Sequence, residues 1–338
     1  MLVANADCSF QGSIVLGMGF TMPEAKAMAL IKKNASNAEV LFPYLNGDDL
    51  NSSPTQQPSR WVINFFDWSI DRARRYVDVF KIAEERVKPE REINKDKTAR
   101  EYWWRFLRCR GELYHAIGRG SSFEKHPKDW TGDSRVNKVL VNARVCKYFT
   151  PSLIENYPVF HEKVVLMRLD GYCWLAFMCS TLIQDWVWKQ SSTLGTGLNF
   201  SPSDAFETLP FPLSPLSQLE SLGGQLDAHR RKIMLARQIG LTALYNLFHN
   251  LGEKDAELEE MRRLQREIDI AVRDSYGWQD INLAHDFHEV GYLPANDNVR
   301  YTISEPARIE ILKRLSALNR QRWEEEEAAG LHKKGKKG

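Results

Sequence analysis

The chain has 338 residues, of which 43% are hydrophobic and 27% are charged, and its formal net charge is +2. It is long enough to bury a large core in one domain or two. No run of about 18 apolar residues occurs, and the start lacks the basic and apolar regions of a secretory signal. None of the five cysteines forms a C-x-x-C pair, so we predict a cytoplasmic protein without a disulfide framework or zinc site.

The first third of the chain mixes strand and helix signals. An apolar, glycine-containing stretch within 10–20 predicts a strand, and Pro23 and the residues beside it predict a helix start. A buried strand is predicted around Trp61, where apolar residues alternate. Apolar residues at spacings of three and four predict that residues 69–92 are helical.

The middle of the chain changes to short β-prone runs. Residues 136–170 predict a hairpin or meander, broken by prolines and an asparagine. Residues 172–190 carry an apolar stripe of helical period, which is typical of a core helix. Three prolines within 202–213 then indicate a domain boundary.

The last third has three helical faces with heptad-like spacing, separated by Gly252 and by an irregular segment at 277–303. We therefore predict an α+β protein. A β-containing domain covers 1–212, a small antiparallel helical bundle covers 213–330, and a disordered basic tail covers 331–338.

Charge points to a polyanionic partner for the first half of the chain. Residues 60–150 have an excess of basic side chains, and within 60–110 these alternate with Phe, Tyr and Trp, a mixture that suits nucleic acid. The cationic candidates for DNA contact are Arg60, Arg72, Arg74, Arg75, Arg144 and Lys147. The alternative for each is a surface salt bridge or a solvated face, and the tryptophans of the run are expected in the core.

Motifs for catalysis are incomplete. Gly17-Met18-Gly19 lacks the third glycine and the acidic partner of a nucleotide-binding turn, so a glycine-kinked strand is favoured. No Pro-Pro pair occurs, although an adenine methyltransferase needs such a loop to hold its flipped base. His285 and His288 could meet on one helical turn but have no third metal ligand. We expect no catalysis by this chain, and no metal or cofactor in it.

Several long strings occur in order along nearly the whole chain. They include FQGSIVLGMGF from Phe10, RWVINFFDW from Arg60, PSDAFETLPFP from Pro202 and RYTISEPARIEIL from Arg300. These strings resemble the C-terminal part of MmeI-like type IIG restriction–modification enzymes, also called type IIL. The resemblance implies a target recognition domain and a helical region, without the nuclease and the adenine-N6 methyltransferase of that family. S-adenosylmethionine and Mg²⁺ are then expected only for the missing domains.

The resemblance also locates base recognition. In the family, base-contacting residues lie in the β-rich second half of the recognition domain, at variable positions that correspond here to Gly195 and Gly197. Glycine has no side chain with which to contact a base. Three interpretations stay open: one base pair is not contacted, Thr196 and Asn199 contact it, or the segment has lost specificity.

The resemblance thus implies recognition of double-stranded DNA, as the specificity part of a restriction–modification system with a role in phage defence. A separate methyltransferase or nuclease subunit is a further expected partner. Two alternatives are kept: a protein-interaction subunit that docks on a separate methyltransferase–nuclease, and a truncated gene remnant. Met1 is accordingly an internal start, the start of a gene fragment, or the start of a naturally separate subunit.

Overall fold

The structure is a computed structural model that describes residues 1–134, 136–214 and 216–332. Helices and mainly antiparallel sheets build it, which confirms the predicted α+β class. Of the basic tail predicted at 331–338, residues 333–338 lie outside the described residues.

The strands are β1 (Ser9–Gln11), β2 (Thr21–Met22), β3 (Leu41–Leu45), β4 (Arg60–Ile63), β5 (Lys138–Ala143), β6 (Val145–Cys146), β7 (Ser152–Glu155), β8 (Val159–Phe160), β9 (Val164–Met167), β10 (Ser192–Leu194), β11 (Gly197–Asn199), β12 (Asp286–Glu289) and β13 (Val299–Thr302). The α-helices are α1 (Glu24–Lys33), α2 (Gly47–Asn51), α3 (Ile70–Ala73), α4 (Val77–Arg86), α5 (Lys88–Glu92), α6 (Lys97–Glu101), α7 (Gly111–Ala116), α8 (Tyr172–Cys179), α9 (Thr181–Gln190), α10 (Ser217–Arg237), α11 (Leu241–Phe248), α12 (Ala256–Ser275) and α13 (Glu305–Ala328).

A central antiparallel sheet, in the order β1-β9-β5-β7, separates two hydrophobic cores. Leu140 pairs with Met167 and Val141 pairs with Leu166. Because successive side chains of a strand point to opposite faces, the first pair packs in one core and the second pair in the other. The prediction of a hairpin or meander is correct in kind, but β5 lies between β7 and β9, so the order is not that of a simple meander.

The first core lies between this sheet and a second sheet, in the order β2-β4-β3-β8, with helices from the first 120 residues around them. The predicted strand around Trp61 is β4. Of the predicted strand within 10–20, only the part up to Gln11 lies in β1, and the backbone turns farther along at Leu16 and Gly17, whose φ angles are 58° and 92°. The helical segment 69–92 is divided into α3, α4 and α5 rather than forming one helix.

The second core holds α8 to α13. Gln218 at the start of α10 donates to the carbonyl oxygen of Ala271 near the end of α12, at 3.2 Å. Arg237 at the other end of α10 pairs with Asp255, which caps the start of α12, at 3.0 Å. These contacts make α10 and α12 antiparallel, as predicted for the bundle.

Two expectations for this half need correction. Residues 172–190 form two helices, α8 and α9, because Ser180 between them has an extended backbone. The segment 277–303 is not wholly irregular, because β12 and β13 pair there with Asp286 opposite Thr302. Strands of four residues have too few alternating positions to stand out in a sequence.

The second core contains residues from both sides of residue 212. Trp186 of α9 and Ile233 of α10 are both fully buried in it. The domain boundary predicted at 212 stays a prediction. In the part of the chain that the structure describes, no helix combines the length and the apolar character needed to cross a membrane.

Candidate nucleic-acid interface

A three-stranded antiparallel sheet, in the order β10-β11-β6, lies on the second core. Leu198 pairs with Cys146, and both side chains are buried in that core. The N–H of Phe200 extends the pairing by donating to the carbonyl oxygen of Arg144 at 2.7 Å. The opposite face of this sheet is open to solvent, since Val145 is 43% exposed.

A two-residue turn, Gly195-Thr196, joins β10 to β11. Gly195 has a φ of +61°, and glycine with positive φ at the first position of such a turn matches the twist of the two strands. A Cβ at Gly195 would meet no atom within 4 Å, whereas a Cβ at Gly197 would lie 3.3 Å from the carbonyl oxygen of Cys146. The turn is therefore an exposed tip with free space around it.

This sheet brings together four of the predicted DNA-contacting residues, although Lys147 and Thr196 are 49 positions apart in the sequence. Asn199 lies opposite Val145, directly beside Arg144, whose side chain is exposed. The Asn199 Nδ2 donates to the Ser192 hydroxyl at 2.9 Å, and Thr196 is exposed at the turn.

Lys147 follows β6 and is held by contacts from two other elements. Its Nζ lies 2.9 Å from Asp297 Oδ2 and 2.9 Å from the Oδ1 of Asn246 on α11. Burial is the largest single influence on the pKa of Lys147 and would lower it, but the hydrogen bonds and charges of Asp297 and Tyr148 together outweigh burial, so the pKa is raised. Lys147 is thus a fixed, fully charged group at the edge of the three-stranded sheet.

Arg300 is a charged residue that the sequence analysis missed. It lies on β13, where its Nη1 donates to Asp297 Oδ1 at 3.1 Å. Its guanidinium carbon is 5.2 Å from the ring centroid of Tyr148, the residue that follows Lys147. The sequence analysis missed Arg300 because its segment was expected to be irregular, and because its contact with Tyr148 joins distant parts of the chain.

The remaining predicted cations lie on β4 or at α3, which pack around the first core. They are Arg60, Arg72, Arg74 and Arg75. The Arg72 guanidinium lies 3.7 Å from the Trp68 ring centroid and 3.2 Å from Glu124, so it is already partnered. Arg74 lies 3.7 Å from Asp71, while Arg60 and Arg75 are exposed. These four residues do not join the three-stranded sheet.

Other arginines of the run 60–110 act as framework. Arg91 is almost fully buried and donates to the carbonyl oxygens of Val15 and Leu16 at 2.5 and 3.0 Å. Arg105 donates to the carbonyl oxygen of Trp68 at 2.8 Å. Trp103 and Trp104 are buried, as predicted, and Trp61 is half-buried. This run therefore contributes more to the core than its composition suggests.

Two cavities in the described part of the chain are either small or lined by charges that are already paired. One cavity of about 40 Å³ between α9, α11 and β13 can hold only a few water molecules. Burial raises the pKa of the Asp185 carboxyl at its wall to about 6, against the opposing effect of Arg308. A second cleft of about 400 Å³ contains Lys138 and Arg231, which pair with Glu155 and Asp227.

The two histidines considered as metal ligands do not lie on a helical turn, so that arrangement is wrong. His285 pairs with Asp269 at 2.8 Å, and His288 lies on β12 with its Nε2 2.9 Å from the carbonyl oxygen of Ala284. Within residues 1–134, 136–214 and 216–332, no three His, Cys, Asp or Glu side chains are grouped to hold a metal ion.

Comparison with known proteins shows a relationship of fold. No family model matches the chain, and no curated protein matches its sequence significantly. The chain is similar to a solved structure of the type IIL restriction-modification enzyme MmeI in complex with DNA, with a TM-score of 0.58 and 14% sequence identity. The match covers 93% of this chain and 36% of the MmeI chain, so this chain spans about a third of the length of that protein. At this identity the similarity concerns the fold.

Proposed function

We propose that this chain recognises a specific sequence of double-stranded DNA, as the specificity part of a type IIG-like restriction–modification system that methylates adenine N6. The observation that carries the proposal is the β10–β11 hairpin with its exposed tip, flanked by Arg144 and Lys147. The major groove of B-DNA is wide enough to admit a two-stranded β-ribbon. The similarity of the fold to a DNA-bound restriction–modification enzyme supports this assignment.

The residue types at this sheet suit distinct roles. An asparagine amide can pair with the N6 and N7 of adenine, and a threonine hydroxyl can donate or accept. We therefore assign base contacts to Asn199 and Thr196. Arg144 at the base of the hairpin suits a backbone phosphate, which sets the register of the protein on the duplex. Arg60 and Arg75, exposed in the other half, are proposed as further phosphate contacts.

The test is selection from a pool of random duplexes, followed by gel shifts of a selected and an unrelated duplex over a salt series. We expect one enriched motif and a log–log salt slope that reflects several phosphate contacts, about −0.9 for each. A slope near zero, or equal affinity for both duplexes at every salt concentration, would contradict the proposal.

The proposal includes no catalysis by the isolated chain, so methyl transfer would require a separate methyltransferase–nuclease subunit. Incubation with labelled S-adenosylmethionine and the selected duplex should leave the DNA unlabelled. Methyl incorporation without another subunit would refute this part. Copurification with a neighbouring gene product that carries the Pro-Pro loop would identify the partner.

A further inference from the structure

Two cations from different parts of the chain converge on one carboxylate. Lys147, after β6, lies 2.9 Å from Asp297 Oδ2, and Arg300 on β13 donates to Asp297 Oδ1 at 3.1 Å. Asp297 belongs to the loop between β12 and β13. Its carboxylate therefore bridges the three-stranded sheet and the β12–β13 hairpin.

Both cations have other contacts that hold them in place. The Nζ of Lys147 also donates to Asn246 Oδ1 at 2.9 Å, and the Tyr148 hydroxyl donates to that same oxygen at 2.9 Å. Arg300 also donates to the carbonyl oxygen of Val299 at 2.8 Å. Removing the Asp297 carboxylate would leave a lysine and an arginine already directed at one position.

The Asp297 carboxylate is accessible to solvent, although the Arg300 side chain beneath it is only 9% exposed. The side chains of Lys147 and Asp297 are 37% and 43% exposed, and an ion pair at such exposure is weak because water competes for both charges. A phosphate diester carries the same charge as a carboxylate and also presents two unesterified oxygens to charge-assisted donors. An anion of this geometry can replace Asp297 between the two cations.

We propose that Lys147 and Arg300 form a binding site for one backbone phosphate of DNA, and that the Asp297 carboxylate occupies this site in the free protein. The inference rests on the proposed function and adds Arg300 and Asp297 to its contact residues. DNA entering beside the β10–β11 hairpin displaces the Asp297 side chain and takes over both cations. Non-specific binding is weakened because every phosphate must first compete with this internal carboxylate.

The test compares Asp297→Asn with Asp280→Asn in the full chain. Asp280 is a second loop carboxylate that pairs with an arginine, Arg314, at 2.5 Å, so its substitution changes the net charge equally. We expect D297N to bind duplex DNA several-fold more tightly than the wild type, with a gain that shrinks as salt rises. D280N should change the affinity less than about twofold.

A third and a fourth variant tie the gain to the proposed site. Lys147→Gln should weaken binding, and D297N should give no gain when it is combined with K147Q, because one of the two released cations is then missing. Thermal unfolding of all variants checks that each is folded.

The outcomes distinguish a failure of the proposed phosphate site from a failure of the proposed DNA recognition. If the wild type binds selected duplexes but D297N binds no more tightly than D280N, or if the gain persists in the K147Q background, the inference alone is overturned. If neither the wild type nor D297N binds any duplex, the proposed function fails and the inference fails with it.

Discussion

Arg308 on α13 and Asp185 on α9 form an ion pair in which each side chain is only 3% exposed, with Nε 3.1 Å from both carboxylate oxygens. The hydroxyl of Tyr292 donates to the same carboxylate at 2.7 Å. Substituting one partner of a buried pair leaves the other charge buried without compensation. Arg308→Met should therefore lower the free energy of unfolding by about 3–5 kcal/mol, measured by urea denaturation.

Arg320→Met on the same helix is the matched control. Arg320 pairs with Glu324 at 3.0 Å, but the two side chains are 81% and 57% exposed. The same substitution there should cost less than about 1 kcal/mol. Equal losses for the two variants would contradict the role assigned to burial.

Adjacent glycines on α10 should respond in opposite directions to alanine. A Cβ at Gly223 would lie 1.9 Å from the carbonyl oxygen of Tyr172, whereas a Cβ at Gly224 would come no nearer than 3.8 Å to its neighbours. Gly223→Ala should force α10 away from the start of α8 and cost about 1–3 kcal/mol. Gly224→Ala should stabilise the helix by about 0.5–1 kcal/mol, because alanine loses less backbone entropy than glycine. Calorimetric melting of the two variants side by side gives the sign of each.

Arg144→Gln should weaken DNA binding by a similar factor for every duplex. A phosphate contact contributes no base preference, and its loss should reduce the salt slope by about 0.9. Arg320→Gln, which removes the same charge from an exposed site on α13, serves as the control. A change in the preferred motif with R144Q would show that Arg144 contacts a base instead.

Asn199→Ala should relax the preference at one base pair by about 1–3 kcal/mol and leave the other positions of the motif unchanged. The control is Thr193→Ala, at an exposed position of β10 that lies opposite Leu198. Both variants shorten a side chain of the same hairpin. If T193A alters the motif as strongly as N199A, the effect belongs to the stability of the hairpin and not to a base contact.

Acidification should destabilise the protein through His249. Burial and the nearby charges of Arg300, Lys147 and Arg262 hold the pKa of His249 well below 6.5. The folded state thus excludes a proton that the unfolded state binds below about pH 6.5, so stability is lost as pH falls through that value, by at most about 1.4 kcal/mol per unit. The measurement is urea denaturation at about pH 7.5 and about pH 5.5.

His249→Asn should reduce this loss, because asparagine does not take up a proton. Its side-chain oxygen can still accept the N–H of Tyr301, which donates to His249 Nδ1 at 3.2 Å, so the local structure is kept. His288→Asn is the control, since the His288 Nε2 contacts only the carbonyl oxygen of Ala284, four residues away. An unchanged pH dependence in H249N would assign the loss to other groups.

Secondary structure was predicted best from the sequence where an apolar pattern repeats over many residues. The amphipathic helix α12 repeats its apolar face over 20 residues. The first predicted helical face, at 233–248, is instead divided between α10 and α11, because the chain turns at Gln238, whose φ is 52°. Short strands such as β12 were missed, because four residues cannot display a period against background.

For the candidate site, local sequence patterns predicted which residues could contact DNA, but not how these residues are arranged in space. Arg144 and Asn199 were suggested by residue type and by the family resemblance, but only the structure pairs their strands. Asp297 and Lys147 are 150 positions apart in the sequence. The residues around each of them give no signal that predicts their contact. The sequence could not distinguish Arg72, which forms an ion pair with Glu124, from Arg144, whose side chain is exposed.

The central sheet has a consequence for any search for altered DNA selectivity. Because each of its faces belongs to a different core, shifting β5 by one residue against β9 would move apolar side chains to the wrong side of both cores at once. Each core thus independently fixes the register of β5 against β9. The parts of the protein that contain the two cores should therefore unfold in one transition. A substitution such as one at Val141 can then weaken DNA binding from the far side of the molecule. Variants of this kind need a melting curve before their phenotype is assigned to recognition.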